Sequence, residues 1–185
     1  MRIIGGTARG LHLAPVGTGD AAAHLRPTSD RVREAIFNLL INGGYGNPVA
    51  GARVLDLFAG TGALGLEALS RGAAHATFLD TGTAALALIR RNIALMRAEA
   101  RTTLLKRDAT SPGPGTPHTL IFLDPPYGKA LGEAALTACA ATGWLAPDAF
   151  VVWEDGTPPA VPPGFDTLDQ RKYGDTGVTI LRCPT

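Results

Sequence analysis

The sequence predicts an α/β fold, with a mostly parallel sheet covered by helices on both faces. Three observations predict it. From position 53 onward, strand-like and helix-like runs alternate roughly every 20–25 residues, the spacing of βαβ units. The compact apolar run RVLDLF passes directly into the glycine turn AGTGALG. A second run, TLIFLD, ends on an acid and continues as PPYGK. Open α/β sheets gather ligands in the loops beyond the carboxyl ends of their strands.

The elements follow in order. Arg2 to Ala14 mixes β-branched residues with Gly5, Gly6 and Gly10, which predicts a short, irregular hairpin. Val16 to Ala23 is small and Gly-rich, the composition of a flexible loop. Pro27, Thr28, Ser29 and Asp30 form a helix-start signal, and Val32, Ile36, Leu39 and Leu40 recur at helical spacing up to Asn42-Gly43-Gly44. After RVLDLF and its glycine turn, LEALSRG completes a second helix. HATFLD is a strand, Ala84 to Ala100 a long helix, and TTLLK a third strand. SPGPGTP is a loop, TLIFLD a fourth strand, Ala134 to Thr142 a helix, and AFVVWE a fifth strand. TPPAVPPGF carries too much proline for a strand. LDQRKYG and GVTILR form a terminal antiparallel pair. At 185 residues the chain is expected to be one domain, residues 1–50 being an extension and 51–185 the core.

Composition narrows the function. Hydrophobic residues make up 45% and charged residues 18%, against a usual charged share of about 25%. That excludes a disordered, charge-solvated chain. The net charge is only +1, but it is unevenly spread. Met1 to Arg107 holds 13 basic and 7 acidic residues, and Asp108 to Thr185 holds 4 and 9. A basic first part points to an anionic partner. Cys139 and Cys183 are far apart, and the four histidines lack ligand spacing, so neither a disulfide framework nor a metal site is expected. No apolar run approaches the roughly 20 residues needed to cross a bilayer, and MRIIGGTARG has no apolar signal core. The chain is therefore expected to be cytoplasmic and free of membrane contact; a monomer is the separate expectation for its oligomeric state.

Two segments carry chemistry. In the first, Gly60, Gly62 and Gly65 match G-x-G-x-x-G between a strand and a helix, where glycine lets a ligand lie against the main chain. A dinucleotide dehydrogenase would use the same turn. However, Asp56, Phe58, Gly60 and Gly62 spell D-x-F-x-G-x-G, the pattern of S-adenosylmethionine (SAM) methyltransferases, with Ala59 and Thr61 between them. Asp56 suits the ammonium of that ligand. Asp80 ends the second strand, where an acid can accept ribose hydroxyls. Asp108 follows the third strand and can accept from an adenine amino group. Thr28 and Asn38 are further candidates for the same pocket.

The second segment is Asp124-Pro125-Pro126-Tyr127. The prolines fix φ and hold the residues before them extended. A planar exocyclic amine is a poor nucleophile, because its lone pair is delocalised into the ring. The Asp124 carboxylate and the Pro125 carbonyl can take its two N–H groups, while Tyr127 stacks on the base. A base in structured nucleic acid must be flipped or already unpaired to reach such a pocket.

Together these segments resemble the RsmD family, along nearly the whole chain: RIIGGTARG, LRPTSDRVREAIFNLL, VLDLFAGTGALGLEALSRGA, LIFLDPPY and KYGDTGVTIL. Generic methyltransferases lack the first two. The resemblance implies a Rossmann-like class I methyltransferase fold with a seven-stranded sheet. It implies SAM as donor and, as target, N2 of a guanine at position 966 of 16S ribosomal RNA, exposed in the small ribosomal subunit or its assembly precursor. Asp80 stands where the family often has glutamate. On this reading the N-terminal segment does substrate work, with Arg2, Arg9, Arg26, Arg31, Arg33 and Lys129 as candidates for phosphate contacts. The same tetrapeptide leaves other readings open: a DNA adenine-N6 or cytosine-N4 methyltransferase, a protein amide-N methyltransferase, or a non-catalytic RNA-binding assembly factor.

Overall fold

A computed structural model describes residues 1–16 and 28–184. Seven strands form one sheet: β1 (Arg53–Leu57), β2 (His75–Asp80), β3 (Thr102–Lys106), β4 (His118–Leu123), β5 (Leu145–Asp155), β6 (Asp166–Tyr173) and β7 (Thr176–Arg182). Their order is β3-β2-β1-β4-β5-β7-β6. The pairs among β1 to β5 are parallel, and β7 runs antiparallel between β5 and β6. The helices are α1 (Asp30–Asn42), α2 (Ala63–Ser70), α3 (Thr83–Met96) and α4 (Leu131–Ala141). None of the described helices is long and apolar enough to cross a membrane.

Side-chain alternation along the strands splits the core in two. Val54, Phe78, Phe122 and Val152 point to one face, where Ile36 and Phe37 of α1, Leu66 of α2 and Ile89 of α3 cover them. Leu57, Leu79, Leu123 and Trp153 point to the other, under Leu136 and Cys139 of α4. The register aligns Leu79, Leu57, Leu123 and Trp153 across four neighbouring strands. The next residue of β2, of β5 and of the chain leaving β4 therefore turns to the α1–α3 face. These residues are Asp80, Glu154 and Asp124, and Asp56 of β1 shares their side. Four acids thus meet at one edge of the sheet. The strand order reverses between β1 and β4, the place where such folds bind ligands.

Local signals explain most boundaries. The Ser29 hydroxyl accepts from Val32 N–H and caps α1. Gly174-Asp175 closes the β6–β7 hairpin, with Gly174 at φ +64°. Three elements differ from the sequence reading. α3 stops at Met96 because Arg97 takes a left-handed conformation, and a 3₁₀ turn at Glu99–Arg101 leads the chain into β3. α4 begins at Leu131, after a left-handed Ala130 that no local signal announces. β5 starts four residues early, because Leu145 pairs with His118 ahead of a register shift. The expected loop from Val16 to Ala23 falls, after Val16, outside the described residues.

The N-terminal segment is an irregular hairpin with one bridge, Arg2 to His12. A buried carboxylate holds it to α2. Glu67 accepts from Ile4 N–H and Gly5 N–H, both at 2.8 Å, and pairs with Arg71 at 2.7 Å and Arg33 at 3.6 Å. Ser70 accepts from Ala8 N–H and donates to Gly5 O. At Gly6, with φ +75°, a Cβ would sit 1.8 Å from Ser70 O, so only glycine permits this approach. Asn92 accepts from Ala14 N–H and donates to Thr61 O, tying the segment to the glycine turn.

Candidate active site

The turn after β1 is built on left-handed residues: Phe58, Gly60 and Gly62 have φ of 57°, 56° and 75°. For Phe58 that conformation costs of order 1–3 kcal/mol, a strain found at binding loops. Two carboxylates hold the turn. Asp80 accepts from Gly60 N–H at 2.9 Å and from Gly82 N–H at 2.7 Å. Asp56 accepts from Gly65 N–H at 2.9 Å. The third glycine has a packing role, since a Cβ on Gly65 would lie 2.4 Å from the Phe78 ring and 3.1 Å from Asp56 Oδ2. Gly65→Ala is expected to cost about 1–3 kcal/mol by pushing α2 off the sheet, a change that urea denaturation would measure.

This turn and the loop after β4 open into one cavity of about 620 Å³. From the first site it gathers Asp56, Phe58, Ala59, Gly60, Thr61 and Asp80, and from the second Asp124, Pro125, Pro126 and Tyr127. Thr28 lines it too. Gly62, the residue that precedes α2, is not among the lining residues. Asp108 is not among the lining residues; its Oδ1 accepts from Thr110 N–H and O–H in a tight turn. Asn38 is exposed on α1, away from the cavity. Tyr127 is 42% exposed, and its ring sits against Gly156, where a Cβ would meet it at 3.1 Å.

Sequence reasoning missed Glu154, Tyr173, Asp175 and Thr176, which also line the cavity. Glu154 had a legible signal: AFVVWE ends on an acid just as HATFLD and LIFLD do. The other three arrive on the β6–β7 hairpin, inside the KYGDTGVTIL segment that carries the resemblance but gives no sign of reaching a cavity.

Burial dominates the electrostatics. It pushes the Asp56 carboxyl well above its usual range; the Gly65 N–H opposes the shift, and the charges of Asp124 and Asp80 add to it. Asp124 is pushed up to about 7 by burial, opposed by the Thr28 hydroxyl and assisted by Asp155. Glu154 is raised well above the carboxylate range by burial and by the Asp124 charge. Folding thus makes Asp124 hold a proton that the unfolded chain releases near 3.8. Its contribution to stability is fully present below that pH and is lost as pH rises toward about 7. Wild type is therefore expected to lose stability relative to Asp124→Asn across this window, as denaturant midpoints at several pH values would report.

The basic candidates divide. Arg9, Arg31 and Lys129 are exposed, and Arg2 is exposed with its guanidinium 3.9 Å from Asp30. Arg26 lies outside the described residues. Arg33 corrects the sequence reading: its side chain is fully buried and offers no surface to a phosphate. It pairs with Asp30 at 2.9 Å and donates to the carbonyls of Arg2 and Thr28. The helical spacing that placed it on an outer face took no account of the N-terminal segment packed over that face.

Comparison with known proteins agrees with this architecture. The family described as Conserved hypothetical protein 95 matches residues 1–182. Ribosomal RNA small subunit methyltransferase D of Escherichia coli is 40% identical over 186 residues, covering 98% of this chain and 89% of that protein. The chain belongs to the RsmD family. The RsmD relative of Haemophilus influenzae, under the same name, is 33% identical and covers 94% of this chain and 89% of its own length. A solved Escherichia coli structure, YhhF, described as a candidate methyltransferase, superposes with a TM-score of 0.84 at 36% identity. It covers 100% of this chain and 98% of its own. The chain thus has the Rossmann-like class I methyltransferase fold that the RsmD resemblance implied.

Proposed function

We propose that this chain transfers a methyl group from SAM to the exocyclic N2 of a guanine in the 16S rRNA of the small ribosomal subunit, at position 966. One observation carries the reading: the glycine turn and the Asp124-Pro125-Pro126-Tyr127 loop share one cavity. A donor and an acceptor can therefore meet there. The names of the Escherichia coli and Haemophilus influenzae relatives supply the substrate class. On this reading the chain is a cytoplasmic monomer that acts as one domain.

The lining fits a cationic nucleoside. Buried carboxylates whose protons are held abnormally tightly are what a ligand with an ammonium and a sulfonium would relieve. Asp56 faces the cationic end, Asp80 receives hydroxyls through lone pairs its two N–H bonds leave over, and the backbone of Gly60 to Gly62 gives close approach. Asp108 is the remaining candidate, for the adenine. When bound, SAM supplies an electrophilic methyl group on sulfur.

The chain's own residues do the rest. Asp124 and the Pro125 carbonyl accept the two amine N–H groups and so localise the nitrogen lone pair. The two prolines keep that pair of acceptors rigid. Tyr127 stacks on the base, worth about 1–3 kcal/mol. The surplus proton leaves the methylated nitrogen for the Asp124 carboxylate. Arg2, Arg9, Arg31 and Lys129 are the surface cations available to RNA phosphates, with Arg26 a candidate from the sequence.

Labelled methyl transfer tests the reading, with small subunits, duplex DNA and protein fractions offered in parallel. Label in small-subunit RNA alone is expected. Label in DNA or protein would favour the other amino-methyltransferase readings. No SAM binding by calorimetry would favour a non-catalytic assembly factor.

A further inference from the structure

One hydroxyl stands between two buried carboxyl groups. Thr28 Oγ1 is 3.0 Å from Glu154 Oε1 and 3.4 Å from Asp124 Oδ2. A hydroxyl has one proton to give and lone pairs to receive with. Two ionised carboxylates would compete for that proton and repel each other in a site poor in water. With one hydroxyl proton, both contacts are full hydrogen bonds only when one carboxyl keeps its own proton and donates it to Thr28, which in turn donates to the other.

The surroundings choose which. Glu154 is 2% exposed and is faced by Asp124 from the end of β4 and Asp56 from β1. Arg33 of α1, a cation whose charge acts on it, is already engaged by Asp30 and Glu67. Asp124 is only half-buried, next but one to the exposed Pro126, and Asp155 adds its charge from the end of β5. The proton therefore belongs on Glu154. The chain of donors runs from the Glu154 acid to Thr28 Oγ1, and from the Thr28 hydroxyl to Asp124 Oδ2. Arg33 holds Thr28, the middle member of this chain, by donating to its carbonyl.

We propose that Glu154 is a positioning residue of the methyl-transfer site: held as a neutral acid, it fixes the Thr28 hydroxyl so that Asp124 stays an oriented carboxylate for the incoming amine. This rests on the function proposed above and adds a group that the sequence motif does not contain. It also gives the LRPTSD segment a role at the reaction centre through Thr28.

Two readouts test it. The first needs no substrate. Infrared difference spectra of the free protein, taken at a pH well above about 7 where Asp124 has released its own proton, are expected to show a buried carboxylic-acid carbonyl component that persists in Asp124→Asn and vanishes in Glu154→Gln. A band that instead vanishes in Asp124→Asn and persists in Glu154→Gln, or no band in wild type, would overturn the proposal. The second is kinetic. Glu154→Ala and Thr28→Val are each expected to lower kcat about 10–100-fold through misplacement of Asp124, with KM for SAM changed less than about threefold. Glu154→Gln, whose amide can still donate to Thr28, is expected to recover at least about tenfold over Glu154→Ala. A glutamine variant as impaired as alanine, or a loss confined to KM, would count against the proposal. Calorimetric SAM binding confirms that each variant is folded. Wild type that methylates no guanine would overturn the proposed function, while the infrared result would still settle the proton's place.

Discussion

Replacing Asp124 by alanine is expected to lower methyl transfer by about 10²–10³-fold, the usual cost of removing one preorganised polar contact to a reacting group. The carboxylate is positioned at a strand end, tied by Thr28, and followed by two prolines that give its loop little freedom to compensate. SAM binding should survive in large part, because Asp56, Asp80 and the glycine turn hold the other side of the cavity. Single-turnover methylation of small subunits, with SAM titration in parallel, measures both quantities. Equal losses in both would place Asp124 in cofactor binding, and full activity would remove it from the chemistry.

Glu67→Ala is expected to be the most damaging single change away from the cavity. Glu67 is fully buried and accepts from two backbone N–H groups of the N-terminal segment while pairing with Arg71 and Arg33. Its removal leaves the buried Arg33 guanidinium short of a partner and unpins Ile4 and Gly5. Breaking a buried pair in this way costs about 3–5 kcal/mol. In a chain of this size that corresponds to a fall in Tm of roughly 6–20 °C. Because Arg33 also holds the Thr28 carbonyl, the variant should lose activity below its melting range as well. A stability change under about 1 kcal/mol would mean that the N-terminal segment is held mainly by the burial of Ile3 and Leu13.

The order of elements and both ligand loops were legible in the sequence because each is written locally. An apolar run that ends on an acid and then turns through glycine or proline can be read without its neighbours, which marks Asp80 and Asp124 as candidates, while D-x-F-x-G-x-G marks Asp56. Arg33 was misplaced for the opposite reason. Its position on α1 reads as an outer face, and the distant Arg2 carbonyl and Glu67 make it an inner one. RIIGGTARG was read as an RNA-facing segment. Gly5 and Gly6 serve close packing on α2, and the exposed Arg2 and Arg9 remain open to a phosphate. Asp108 carried a strand-end signal, yet its carboxylate is spent on Thr110 in the turn. Tyr173, Asp175 and Thr176 reach the cavity from the far end of the chain, through a hairpin whose packing no short pattern encodes.

Nucleoside mass spectrometry of small-subunit RNA tests the central claim most directly. RNA would come from cells that lack this chain, before and after treatment with the purified protein and SAM, and the product would be mapped to its nucleotide. The account predicts a single gain of N2-methylguanosine at one position, absent when Asp124→Ala replaces wild type. A methyl group on another atom or base, or an unchanged gain with Asp124→Ala, would contradict it.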